Sequence, residues 1–148
     1  MDRAKPGCKR HVLTDADGVP LVVQTTAANV NDQTQLKPLL EAMPAVRGPR
    51  GRPRQKPGSI FGDRAYGTEF LIAWVRAMGI FSFLARRNDA THGSGLGAFR
   101  YVVERTLACF SQFRRLRVCY ERTHEHFQAL HEVAACRLIA TRFKRYEL

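Results

Sequence analysis

The chain has 148 residues, the size of one ordinary domain, and its 24 Lys plus Arg against 13 Asp plus Glu give a formal net charge of +11. Hydrophobic residues make up 45%, which excludes an intrinsically disordered chain, and no apolar run reaches the roughly 18–20 residues of a membrane span. Met1-Asp2-Arg3-Ala4-Lys5-Pro6 lacks the apolar segment of a signal peptide, so a soluble cytoplasmic protein is expected, with reduced thiols at Cys8, Cys109, Cys119 and Cys136. Such a charge favours a polyanionic partner, most commonly nucleic acid, without naming any chemistry.

Residues 11–14 and 19–26 alternate apolar and β-branched positions on either side of Asp15-Ala16-Asp17-Gly18, which predicts a hairpin with Asp15 and Asp17 as ordinary turn residues. Asn31-Asp32 then open a helix through Leu36, Leu39, Leu40 and Met43, with Pro38 near its first turn and Pro44 as its stop. Residues 47–57 follow as a basic flexible loop. Two prolines and two glycines forbid a regular element there, and Arg47, Arg50, Arg52, Arg54 and Lys56 repel one another. It reads either as a solvated linker or as a phosphate-binding loop.

Ser59-Ile60-Phe61-Gly62 is a short strand ending at Asp63. Phe70, Leu71, Trp74, Val75 and Met78 have helical spacing, closed by Gly79, and residues 80–85 form a second strand. Strand, helix and strand in so short a span predict a βαβ unit with parallel pairing, hence an α/β fold. Asp63 then lies at the carboxyl end of a parallel strand, where ligands collect, and it is either a metal ligand or the cap of the helix that follows.

Residues 86–97 read as a loop. Two long helices, 99–116 and 124–145, complete the chain. On the first, Phe99, Val102, Val103, Leu107, Phe110 and Phe113 mark a buried face. Arg100 and Arg115 fall within roughly 20–40° of Glu104 around that helix, so all three share one stripe. The stripe is either a salt-bridged surface or a carboxylate flanked by phosphate-binding arginines. His124, His126 and His131 lack a completing ligand set and read as surface or core residues.

Three stretches carry a family resemblance: Phe61-Gly62-Asp63-Arg64-Ala65-Tyr66, His92 through Thr106 with its Val103-Glu104-Arg105-Thr106, and Phe113 through Arg122. Together they resemble the C-terminal half of bacterial insertion-sequence transposases of the DDE type, and Lys9 through Asp15 and Ala28-Asn29-Val30-Asn31-Asp32 fit the same family. The resemblance implies a ribonuclease H-like core in which three acids hold two magnesium ions. It carries the second acid to Asp63 and the third to Glu104, with Arg100 at a basic position of the signature. Two positions depart from the pattern: Ser111 stands where a base is common, and Gly97 where related groups have tyrosine.

The first acid of that triad lies on a strand upstream of the segment that residues 1–7 resemble. Residues 1–148 are accordingly read as the C-terminal part of a transposase catalytic domain with an incomplete fold, its first core strand missing. The function this implies is metal-dependent cleavage and strand transfer on double-stranded DNA at the element's terminal repeats, by a homo-oligomer, with Arg114, Arg115 and Arg117 joining the basic loop on the backbone. With two of three acids, the isolated chain is expected to be inactive. It would be completed by fusion to the product of an upstream frame, or else be a decayed, non-catalytic DNA-binding or regulatory fragment.

Overall fold

The structure, a computed structural model, describes residues 7–48, 50–86 and 97–146, apart from the side chains of 97, 98, 100, 145 and 146. The elements run β1 (Cys8–Thr14), β2 (Pro20–Ala27), α1 (Leu36–Glu41), β3 (Ser59–Gly62), α2 (Glu69–Ala77), β4 (Phe81–Leu84), α3 (Gly97–Gln112), α4 (Arg114–Arg117) and α5 (His124–Tyr146). They form two compact units, Met1–Val30 with Val102–Leu148, and Asn31–Tyr101.

In the first unit β1 and β2 pair antiparallel, with an irregularity between Leu13 and Thr14. The connecting turn is built by Asp15, whose carboxylate accepts from the Asp17 and Val19 amides at 3.0 and 2.8 Å. Gly18 supplies the positive φ of 82° that a side chain disfavours. The core is Phe110, Leu116, Phe127, Ala134 and Ala135 against Val23, with Val12, Phe113, Leu130 and Leu138 around it. A helix side chain completes β2. The Thr25 amide donates to Gln128 Oε1 at 2.9 Å, and Gln128 Nε2 donates to the Val23 carbonyl at 2.7 Å. One side-chain amide thus satisfies backbone groups that would otherwise call for a neighbouring strand.

The expected helix 99–116 is broken. α3 ends at Gln112, Phe113 is extended (φ −75°, ψ 116°), and α4 begins at Arg114. On an uninterrupted helix Leu116 would point about 120° away from Phe110. The break turns Leu116 into the same core, where both are buried. Phe99 is also not the core residue its spacing suggested: it is exposed and stacks on Phe61, with ring centroids 4.1 Å apart.

In the second unit the expected helix after Asn31 opens as a 3-10 turn, Asp32–Gln35, before α1. Pro38 is the reason. Restarting the helix at Leu36 places Pro38 in a first turn, where its missing N–H costs nothing. Asn31 still caps, accepting from the Gln33 amide at 3.1 Å. β3 and β4 are parallel, joined through α2, so the βαβ unit stands. Ile60, Leu71, Ile72, Val75, Ile80 and Leu84 are buried, while Phe61 and Phe83, paired across the strands, stack 4.7 Å apart on the other face.

Val46 and Arg54 exchange two backbone hydrogen bonds, at 2.9 and 2.8 Å, and Gly51 turns the chain between them with φ 96°. Arg47, Arg50, Arg52, Arg54 and Lys56 are all exposed.

Candidate functional site

Asp63 follows β3 in a compact turn made almost wholly by its own neighbours. Its carboxylate accepts from the Ala65 amide at 2.9 Å, and its carbonyl accepts from the Tyr66 amide at 3.1 Å. The cap of α2 is Thr68, whose hydroxyl accepts from the Leu71 amide at 3.4 Å, so the capping alternative for Asp63 falls. The carboxylate is left half-buried at the carboxyl end of a parallel strand. Gly67 lets the turn close: a Cβ there would overlap the Ala85 carbonyl.

Tyr66 adds a residue that the spacing did not single out. Burial, then the carboxylates of Asp32 and Asp63, push its phenol up to about 12. Asp32 and Asp63 therefore act on one side chain. The signal was present in the sequence, because both belong to stretches that carry the resemblance. Its meaning required the fold.

Glu104 is exposed on α3. The residues that follow it fasten the helix to the β1–β2 turn. Arg105 donates to the Asp17 carbonyl at 2.8 Å, and Thr106, which is buried, donates to the Gly18 carbonyl at 2.7 Å. Arg105 and Thr106 have partners 88 positions away, beyond the reach of helical periodicity.

The stripe of Arg100, Glu104 and Arg115 is corrected, because Arg115 lies on α4 beyond the break and pairs with Glu121. The side chain of Arg100 lies outside the described residues. Arg114 and Arg117 are exposed on α4. Ser111 accepts from the Arg10 guanidinium at 3.2 Å, so a cation from β1 reaches the position where a base was looked for on the helix.

His124 Nε2 donates to the Thr25 carbonyl at 2.8 Å, and His126 is exposed. His131 is fully buried with Nδ1 donating to the Phe127 carbonyl at 2.8 Å. Among the described residues no group of three or more His, Cys, Asp or Glu could hold a metal ion, and no helix is long and apolar enough to cross a membrane.

Residues 2–139 match the family model described as the transposase DDE domain. The transposase named for insertion sequence element IS402 of Burkholderia cepacia is 47% identical over 135 residues, covering 91% of this chain and 64% of the relative. The chain thus spans less than two thirds of that relative's length. No solved structure matches.

Proposed function

The chain belongs to the transposase DDE domain family, and from that premise we propose that it acts in DNA transposition, contributing Asp63 and Glu104 to metal-dependent cleavage and strand transfer at the ends of an insertion sequence. The observation that carries this reading is the Asp63 turn, a half-buried carboxylate fixed by the Ala65 amide at the carboxyl end of a parallel strand. The proposal includes a ribonuclease H-like arrangement of the kind the family implies, and an active homo-oligomer.

Hard oxygen donors suit magnesium. Asp63 and Glu104 fit it in kind, although the described residues contain no complete three-ligand group. When bound, such ions would neutralise phosphate charge and activate an attacking oxygen. The chain's own residues do the remaining work. The Ala65 amide holds the Asp63 carboxylate in one rotamer, and Arg105 and Thr106 hold the helix that bears Glu104. Arg47, Arg50, Arg52, Arg54 and Lys56, with Arg114 and Arg117, lay positive charge along a DNA backbone. Arg115 joins them by exchanging Glu121 for a phosphate, and Arg100 is assigned to the same role from the signature.

Affinity for a terminal-repeat duplex, measured against salt, tests the interface. Replacing the five basic loop residues together with glutamine should lower the salt slope by about 4. An unchanged slope would remove the loop from the interface. Residues 1–148 supply two of the family's three acids, so as a polypeptide by themselves they should not nick DNA. Robust magnesium-dependent nicking of that duplex by the purified chain would refute this part of the proposal.

A second reading, a non-catalytic DNA-binding or regulatory protein, rests on the exposed arginines, which can hold a DNA backbone without any carboxylate chemistry. It predicts that Asp63→Asn and Glu104→Gln leave every measurable function unchanged.

A further inference from the structure

α5 has two apolar faces. Phe127, Ala134, Ala135 and Leu138 pack into the core of the first unit, with His131 buried beside them. At about 100° per residue, Ala129, Val133, Cys136, Ala140 and Phe143 lie within an arc of roughly 80° on the far side of the helix, about 170° from the core face. All five are exposed, and the large apolar side chains of Val133 and Phe143 are left 66% and 65% open to solvent. Their alternating spacing of four and three residues is that of a coiled-coil seam, with Ala129, Cys136 and Phe143 at its d positions and Val133 and Ala140 at its a positions. Packing of the opposite face already holds α5 folded, so a partner on this seam need not supply the helix its stability.

The charges beside the seam say which partner fits. Glu125 and Glu132 fall at g, on one flank, and Arg137 and Lys144 at e, on the other, and all four are exposed. In a parallel pair a g residue meets the e residue five positions on in the other helix, which sets Glu132 against Arg137 of a second copy, twice by symmetry. Within one helix those two side chains stand about 140° apart and do not meet. Gln128 Nε2 donates to Glu132 Oε1 at 2.9 Å and holds the carboxylate on its flank. An antiparallel pair with Cys136 opposite Cys136 would bring each flank against its own copy, Arg137 beside Arg137.

We propose that the outer face of α5 is a homodimer surface, on which two copies of this chain pair their helices in parallel through Ala129, Val133, Cys136, Ala140 and Phe143. The Glu132–Arg137 pairs fix the orientation, and the small side chains at Ala129, Cys136 and Ala140 let the helix axes approach to about 8 Å. The surface deepens the homo-oligomer of the reading above and rests on that reading only for its purpose. The association itself requires neither DNA nor Asp63 and Glu104.

The test follows the full chain, without DNA, by sedimentation equilibrium, and a reversible monomer–dimer equilibrium is expected at micromolar concentrations. Val133→Asp, at a position the fold leaves in solvent, should keep the circular dichroism unchanged and raise the dimer Kd at least about tenfold. Arg137→Glu should do the same by setting like charges together, and adding Glu132→Arg should recover most of the loss. Disulfide trapping reads the orientation. With the 4 native cysteines replaced by serine, Ala129→Cys should cross-link two copies under copper–phenanthroline oxidation. Position 129 meets itself in the parallel pair and lies about 21 Å from itself in the antiparallel one. A chain that stays monomeric, a dimer indifferent to Val133→Asp, an Arg137→Glu loss that Glu132→Arg does not recover, or failed trapping at Ala129→Cys would each overturn the proposal. None of these readouts involves DNA cleavage, so this failure and failure of the catalytic reading are told apart.

Discussion

Asp63 and Glu104 are two acids held by opposite means. Asp63 sits in a turn closed by its immediate successors, with the Ala65 amide on its carboxylate and the Tyr66 amide on its carbonyl. The helix at Glu104 is fastened from far along the chain, through Arg105 on the Asp17 carbonyl and Thr106 on the Gly18 carbonyl. The turn is a local motif whose shape is nearly complete within one stretch of sequence. The helix depends on a hairpin tip that must fold first or with it. Damage should therefore spread differently from the two places, staying in the second unit from one and crossing from helix to hairpin in the other.

The largest expected effect is at Gly67. Gly67→Ala drives a Cβ into the Ala85 backbone carbonyl, which cannot move without separating β4 from β3. A loss of about 3 kcal/mol is expected, read by urea denaturation, with amide exchange rising across β3 and β4. Protection in β1 and β2 that fell equally would dissolve the contrast between the two regions.

Next comes the hairpin tip. Gly18→Ala meets both a positive φ of 82° and Thr106 Oγ1 at 2.9 Å, and should cost about 2 kcal/mol. Thr106→Val strips the hydroxyl from the Gly18 carbonyl and should cost about 1–2 kcal/mol. Because the two positions touch, the double variant should lose less than the sum. Full additivity would separate the helix from the turn. Thr68→Ala, which removes the cap of α2, should cost about 1 kcal/mol.

The smallest effect is a pH dependence in the first unit. Burial, helped by the Arg10 charge and opposed by the Phe127 carbonyl, holds the His131 imidazole below its usual range near 6.5. The unfolded chain thus takes up this proton before the folded one does. Stability from this group is complete above about pH 6.5 and declines as the pH falls toward the lowered folded value. His131→Gln should flatten that decline in a series of denaturation curves from pH 7.5 to 5. An unaltered slope would assign it to other groups.

The same contrast governs what could be read in the residues. The hairpin, the parallel βαβ unit and the Asp63 turn follow from alternation, helical spacing and turn chemistry over a few neighbours. The place of Leu116 was hidden because helical periodicity assumes that the helix continues, and the core around Phe110 captures Leu116 only if it stops. The grip of Gln128 on β2 was hidden for a similar reason, since a glutamine within a helix carries no mark of the strand it will meet. Pro38 was visible, and its consequence, the restart of the helix at Leu36, was a matter of register. The Arg115 error followed directly from the unseen helix break.

The central claim is that Asp63 and Glu104 are catalytic carboxylates, and the most direct measurement is strand cleavage by a chimera. It would join this chain to the segments of the Burkholderia cepacia relative that it does not cover, and be assayed on a terminal-repeat duplex with magnesium. Asp63→Asn and Glu104→Gln should each lower the cleavage rate at least about 100-fold, with DNA affinity at fixed salt unchanged. Cleavage that persists at the parental rate in either variant would contradict the account.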